Sequence, residues 1–235
     1  MISHPHIDGV MEHDRPGPVI PDDEELMRDP FPEHTVEEVS EWCYRRIRNE
    51  PVPVSDDVIF KVVTGKSYLD PMCGFLLGLL YENGIGTGIS LEDAEEHICS
   101  AARNGNADAC YYIASVYRDG AFGRKDMFRA AKWFSKAADM GIAEAGLFYG
   151  EACMELYSDT GIGFYGEEAL EALWDLAYDI DEANADIARC YMRGIGTEIS
   201  LDVPARMIDV LETDGYDVTG LKEEYEQVRQ RIGKK

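Results

Sequence analysis

Cysteine and histidine are the residues of this chain whose side chains could attack a substrate or take a proton from it. The chain has six cysteines and five histidines, and covalent catalysis needs a nucleophile beside a base. Four of the histidines lie near the N-terminus, at His4, His6, His13 and His34. The fifth, His97, stands two residues before Cys99, and on a helix side chains at i and i+2 point about 200° apart. We therefore predict no catalytic residue.

Two glycine-containing motifs resemble phosphate-binding loops, but neither has the required context. Residues 64–67 (TGKS) match the end of a P-loop, yet Phe60 stands where that motif needs a glycine. Residues 161–166 (GIGFYG) form a G-x-G-x-x-G, but they follow a helical pattern, whereas a dinucleotide site requires a preceding strand. We interpret these glycines as loop residues and predict no cofactor.

The metal-binding residue types also lack a suitable arrangement. The cysteines stand at 43, 73, 99, 110, 153 and 190, and no two form the C-x-x-C pair typical of structural zinc sites. His4 and His6 flank a proline in a stretch with few clustered hydrophobic residues, which we predict to have no fold that could fix a coordination geometry. The sequence therefore predicts no metal site, and it predicts that the cysteines are small buried side chains.

Charge narrows the range of partners. The formal net charge is −24, and residues 142–190 carry twelve acidic residues against Arg189 alone. Residues 101–141 are the exception, with seven Lys or Arg against four Asp. A surface this negative repels phosphates and anionic membranes, and it attracts basic protein segments. We predict a protein partner with a basic or amphipathic segment, no nucleic acid and no membrane.

The elements that must position these residues are helical hairpins. Between Ala107 and Ile142, two stripes of small or apolar residues recur at helical spacing on either side of a glycine-containing loop. Asp126 is placed to cap the second helix, and Gly141 to end it. A hairpin of this size cannot bury its own apolar stripe, so it requires neighbours.

The hairpin recurs along the chain. Tyr81 and Gly84 precede Tyr117 and Gly120 by 36 residues, and Tyr191 follows Tyr117 by 74, about two periods. Residues 81–94 (YENGIGTGISLEDA) and 191–205 (YMRGIGTEISLDVPA) are close to identical in pattern. A fixed period of this length indicates a stacked array, and helical halves make it an all-α αα solenoid.

These residues resemble the Sel-one-like repeat (SLR) family, which is related to the tetratricopeptide repeats. The resemblance rests on A-x-A-x-x-x-(L/I)-(G/A)-x-x-Y-x-x-G followed by A-x-x-W-x-x-K-A-A-x-x-G, best matched in the second copy. The third copy has Cys153 in place of the tyrosine and a longer predicted loop from Ser158 to Gly166. The family resemblance implies a right-handed αα-superhelix that holds other proteins on a concave surface lined by the first helix of each hairpin.

We divide the chain according to this pattern. Residues 1–34 are predicted to be an extended or disordered acidic tail in which Phe31-Pro32 could dock on the first helix, and residues 35–69 to be N-terminal capping helices. Four repeats follow over 70–213, at about 70–106, 107–142, 143–181 and 182–215. Residues 216–235 are predicted to be a C-terminal capping helix.

The same register predicts a binding groove. Phe75, Tyr111 and Leu147 occupy equivalent inward positions of three successive first helices and would form an apolar strip. Charged residues would flank that strip at Arg118, Glu144 and Glu151. A groove of this kind suits a peptide or helix with apolar anchors and basic neighbours. The alternative is that Phe75 and Tyr111 only pack against the adjacent first helix.

We therefore predict a non-enzymatic interaction scaffold. One alternative is an acidic inhibitor or nucleic-acid mimic that binds a basic protein through residues 142–190. A hydrolase is the other, because activity has been attributed to a few secreted SLR relatives. The chain shows neither an apolar run long enough for a membrane span nor a signal peptide, which predicts a cytoplasmic protein. The scaffold hypothesis includes a bacterial origin.

Overall fold

The computed structural model describes residues 28–233. Within this range the chain forms helices and no strand, which confirms the predicted all-α class. The eleven helices of this range are α1 (Val36–Ile47), α2 (Asp56–Lys66), α3 (Pro71–Asn83), α4 (Leu91–Arg103), α5 (Ala107–Asp119), α6 (Met127–Asp139), α7 (Ala143–Thr160), α8 (Gly163–Leu176), α9 (Asp181–Arg193), α10 (Asp202–Thr213) and α11 (Thr219–Ile232).

The helices begin and end where the sequence supplies caps. At the start of α5, Asn106 Oδ1 accepts a hydrogen bond from the amide of Ala109 at 2.7 Å. At the end of the same helix Gly120 adopts φ +71°, a left-handed conformation that suits glycine and lets its amide bond to the carbonyl of Val116. Gly84, Gly161 and Gly194 end three other first helices in the same conformation.

Each helix packs against the next one along the chain, which produces a solenoid. The hairpins are α3/α4, α5/α6, α7/α8 and α9/α10, and the second helix of each contacts the first helix of the following hairpin. Helices α1 and α2 pack on α3 at one end, and α11 packs on α9 and α10 at the other. This arrangement confirms the predicted αα solenoid with additional helices at both ends.

The repeated tyrosines, together with Lys136, hold successive hairpins together. Tyr81 packs edge-on against Phe60 of α2, and the Tyr117 hydroxyl donates to Glu95 of α4 at 2.6 Å, so both reach back to the preceding second helix. Lys136 of α6 donates to the carbonyl of Ala102, near the C-terminus of α4, at 2.5 Å. A cation at this end of a helix interacts favourably with the unpaired carbonyls, which gives a structural reason for the lysine in the repeat pattern.

The third hairpin differs from the sequence prediction. Helix α7 is 18 residues long, whereas α5 has 13, and it continues through the first three residues of the segment that we expected to be a loop, while α8 takes up the last four. Gly161 ends α7, but Gly163 begins α8 and Gly166 is buried inside it, so these two are not loop glycines. The prediction of a long loop was wrong because Ser158 and Thr160 bond back to carbonyls one turn earlier and remain within the helix.

Helix α7 also joins two parts of the hydrophobic core. The first part extends from Val39 to Ala145 and includes Phe134, which is fully buried. The second begins at Leu147 and extends to Ile195. A third cluster, between α9, α10 and α11, covers the C-terminal end of the array.

Residues 28–34 pack on the N-terminal helices. The Phe31 ring lies against Gly65, where an added Cβ would be only 2.6 Å from the ring, so the docking site is α2 rather than the first helix. Lys66 is 4% exposed, and its ammonium group pairs with the carboxylate of Asp29. The remainder of the predicted tail, residues 1–27 with three of its histidines, lies outside the described residues.

We expect Asp29→Asn to lower the free energy of unfolding by about 1–2 kcal/mol at neutral pH. The change leaves a buried ammonium group without its counter-charge, although the partial exposure of Asp29 moderates the loss. Urea titration would measure it, with the exposed Asp57→Asn as the control. The hydrogen bond from Lys66, followed by that from the Phe31 amide, lowers the pKa of Asp29.

The pH dependence of this stability difference follows from the lowered pKa of Asp29. A folded pKa below the unfolded value, which is about 3.9, gives a contribution that is fully present above pH 4. It is lost as the pH falls through the folded pKa, because Asp29 is then protonated in the unmodified chain as well. Equal losses for the two variants, or a difference that persists in acid, would contradict the prediction.

Candidate functional site

The predicted apolar strip is largely enclosed in the core. Phe75 is 4% exposed and packs edge-on against Tyr112 at 5.6 Å, and Leu147 is 8% exposed within the second part of the core. Side chains at this position point between neighbouring helices, as our alternative interpretation of Phe75 held. These two residues therefore present little surface to a partner, and the predicted accessible apolar strip is corrected on this point.

The charged residues and Tyr111 lie closer to the surface. The Arg118 guanidinium carbon lies 4.4 Å from the centre of the Phe148 ring, and Arg118 Nε donates to Asp119 at 2.9 Å. Tyr111 is half-buried and packs against Phe134 and Phe148. Burial and then a hydrogen bond to Glu144 raise the pKa of Tyr111. Four residues of the predicted site thus lie on the first helices α5 and α7: Tyr111, Arg118, Glu144 and the neighbouring Glu151.

Glu151 stands at the edge of a cleft between α7 and α9. The cleft has a volume of about 370 Å³, and we call it the first-helix cleft; it is lined by Glu151, Met154, Glu155, Ser158, Asp186, Arg189 and Arg193. Although Glu151 is exposed at the rim, the surrounding protein removes part of its hydration, and this is the main reason that its pKa is raised. Nearby Asp186 adds to that effect, while Arg118 and Arg189 oppose it.

Helix α9 supplies the far wall of this cleft. Asp186 is 6% exposed and accepts a hydrogen bond from Arg189, and burial raises its pKa despite that bond. Arg193 Nε donates to Glu224 of α11 at 2.7 Å. These residues were not predicted from the sequence. Their spacing places positions 186, 189 and 193 on one face of a helix, but it does not show that this face lies beside Glu151.

The residues considered for catalysis have structural surroundings. The His97 ring stacks on Tyr81, with ring centres 5.4 Å apart. The six cysteines are all buried and unbridged, as predicted, and burial raises the pKa of each thiol, to about 12 for Cys43 and Cys190. A protonated, enclosed thiol is a poor nucleophile. Within residues 28–233, no cluster of three His, Cys, Asp or Glu side chains could hold a metal ion.

The fold and the face formed by its first helices define a class of protein, the αα solenoid built from helical hairpins. Within that class, the family model of the Sel1 repeat matches residues 74–106, 107–142 and 181–202. The chain therefore contains three Sel1 repeats, which confirms the resemblance found in the sequence. The family model does not match the third hairpin, where α7 is extended.

A solved structure has the same fold. A Sel1 repeat protein from Oxalobacter formigenes is 19% identical, has a TM-score of 0.57, and covers 80% of this chain and 77% of its own. The protective antigen c5321 of uropathogenic Escherichia coli, which displays an SLR fold, is 18% identical with a TM-score of 0.38. That match covers 75% of this chain and 45% of the antigen. A comparison with curated proteins gives no match.

Two general properties follow from the family and the helices. Sel1 repeats are helical repeats that generally serve as protein-interaction scaffolds. Among the described residues, no helix combines the length and the apolar character that crossing a membrane requires.

Proposed function

We propose that this protein is a non-enzymatic scaffold that binds a segment of a partner protein along the face formed by its first helices. The observation that carries the proposal is the position of Glu151. Its exposed carboxylate lies at the edge of the first-helix cleft, and within residues 28–233 no Lys, Arg or His forms an ion pair with it. A basic side chain from a partner would supply the missing counter-charge.

The neighbouring side chains support the same occupant. Glu155 pairs with Lys125 at 2.7 Å, and Arg193 pairs with Glu224, so several charges of this face already have partners. Arg118 and Phe148 add a flat, partly apolar surface next to Glu151. A peptide or helix with a basic residue beside an apolar one therefore suits this face better than a uniformly charged ligand.

We expect Glu151→Lys to weaken partner binding by about tenfold or more, because it places a positive charge where a basic residue would bind. Tyr111→Ala is expected to weaken it as well, and Glu96→Lys, on the second helix α4, serves as the charge-matched control. Crosslinking with mass spectrometry in the native cell would identify partners, and titration with each purified partner would give the affinities.

Circular dichroism would establish that the variants fold. Partner binding at the unmodified level in a folded Glu151→Lys variant would contradict this binding face. The alternative of an acidic inhibitor, which acts through the charge of residues 142–190 as a whole, predicts a steeper loss of binding as salt is raised. The titrations would therefore be repeated at low and at physiological salt.

A further inference from the structure

A second surface lies on the other side of the array, between the second helices α8 and α10. It is an apolar groove of about 360 Å³ lined mainly by Trp174, Val203, Met207 and Val210, and we call it the α8–α10 groove. Trp174 is 44% exposed and Val210 is 58% exposed. Large apolar side chains that remain exposed side by side around a concave surface are typical of interaction sites.

A neighbouring side of α8 faces an acidic cleft. This cleft has a volume of about 480 Å³ and lies between α6, α8 and the start of α7. Its lining includes four carboxylates, those of Asp139, Glu168, Glu171 and Asp175, and no Lys, Arg or His. Glu168 accepts a hydrogen bond from Tyr149 at 2.5 Å, and among the described residues none of the four carboxylates has an ion-pair partner.

Helix α8 brings the two features within reach of one ligand. Trp174 follows Glu171 by one turn and directly precedes Asp175, so the apolar and the acidic surfaces occupy adjacent sides of a single helix. A helix with its side chains is about 10–12 Å across. A ligand lying over α8 could therefore insert apolar side chains on one side and basic side chains on the other.

Charge restricts the identity of that ligand. Residues 163–214 contain thirteen acidic residues and three arginines. Two of the arginines, Arg189 and Arg193, pair with Asp186 and Glu224 at the first-helix face. The third, Arg206, borders the groove, and its Nε donates to the carbonyl of Asp202 at 3.3 Å. A second copy of this strongly acidic chain would be repelled, as would a nucleic acid or an anionic membrane.

We propose that the α8–α10 groove and the acidic cleft together bind an amphipathic helix of a partner protein, with apolar residues in the groove and Lys or Arg in the cleft. This surface is separate from the first-helix cleft, so the proposal does not depend on the function proposed above. It gives the chain a second interaction face, through which it could hold two proteins at once.

The probe for the test is a short synthetic peptide of leucine and lysine with its leucines at helical spacing. It would be labelled and titrated with the full chain at about 0.15 M salt, with fluorescence anisotropy as the readout. We expect binding to the unmodified chain, and affinity about tenfold weaker for Val210→Asp and for Glu171→Lys. Val210→Asp is informative because it adds negative charge, which by charge alone would strengthen binding to a basic peptide.

Two controls match these changes. Phe128→Asp alters a side chain that is 60% exposed on α6, and Glu96→Lys reverses a charge on α4; each should leave the affinity within about twofold. Val210→Ser provides a milder variant should Val210→Asp disturb the fold, and it too should weaken binding. Glu151→Lys should retain the peptide, which separates this surface from the first-helix cleft.

Three results would overturn the proposal. The first is equal affinity for all variants, which would show attraction by diffuse charge alone. The second is the absence of binding up to roughly 1 mM peptide. The third is self-association of the unmodified chain in sedimentation that Val210→Asp abolishes, because the occupant of the groove would then be a second copy.

Discussion

Gly196→Ala is expected to lower the free energy of unfolding by about 2–5 kcal/mol. Gly196 has φ +66°, and an alanine Cβ built there would lie 2.1 Å from the carbonyl oxygen of Gly166 in α8. The left-handed conformation costs a residue with a side chain about 1–2 kcal/mol, and overpacking typically costs a further 1–3. The atoms in the way belong to backbone, so a change of rotamer cannot relieve the contact. Gly86 is equivalent, with the carbonyl oxygen of Asp56 2.4 Å from the added Cβ.

Two other glycines separate the causes of this loss. Gly105 also has a positive φ but open space around it, so Gly105→Ala should cost only the conformational part, about 1–2 kcal/mol. Gly88 has open space and an ordinary φ, and Gly88→Ala should change stability by less than about 1 kcal/mol. Urea unfolding monitored by circular dichroism would compare the variants. A loss for Gly196→Ala no larger than that for Gly105→Ala would show that the close approach of the two hairpins is not needed.

Phe134→Ala is expected to destabilise the protein by about 3–5 kcal/mol, the usual cost of removing a buried phenylalanine ring. Phe134 is fully buried, and its ring contacts Tyr111 of the same hairpin and Phe148 of the following one. Arg118 lies over the same ring at 5.6 Å. Loss of the ring therefore leaves a cavity at the junction of α5, α6 and α7, and it removes the support under one side of the proposed binding face.

Phe128 is the matched control for this change, since it lies on the same helix and is 60% exposed. Phe128→Ala should alter the stability by about 0.5 kcal/mol or less. Thermal or urea unfolding would measure both variants. Similar losses for the two would mean that Phe134 does not hold the second hairpin to the third.

The sequence was sufficient to predict the fold because the repeat places the same constraint in several copies. Glycine at positions 84, 120 and 194 ends a helix each time, and the tyrosines at 81 and 117 each reach back to the preceding helix. The prediction for the third hairpin was less accurate. Its extension changes the register by a few residues, and a periodic argument has no way to distinguish a longer loop from a longer helix.

The candidate site was harder to predict than the fold. Periodicity identifies which side of a helix a residue occupies, but not whether a neighbouring side chain covers it. Phe75 and Leu147 were assigned to the correct helices and are nevertheless enclosed, by Tyr112 and by the second part of the core. Asp186 and Arg189 escaped notice because their importance depends on the proximity of Glu151, 35 or more residues earlier in the chain.

The position of α7 between two parts of the core has a consequence for how binding would act on the molecule. Ala145 belongs to the N-terminal part of the core and Cys153 to the C-terminal part, so one continuous helix connects two parts that could otherwise unfold locally and separately. Glu151 lies on this helix. A ligand that contacts both Arg118 on the N-terminal part and the first-helix cleft on the C-terminal part would stabilise the packing of the two parts. Local unfolding of either part would then require the ligand to dissociate.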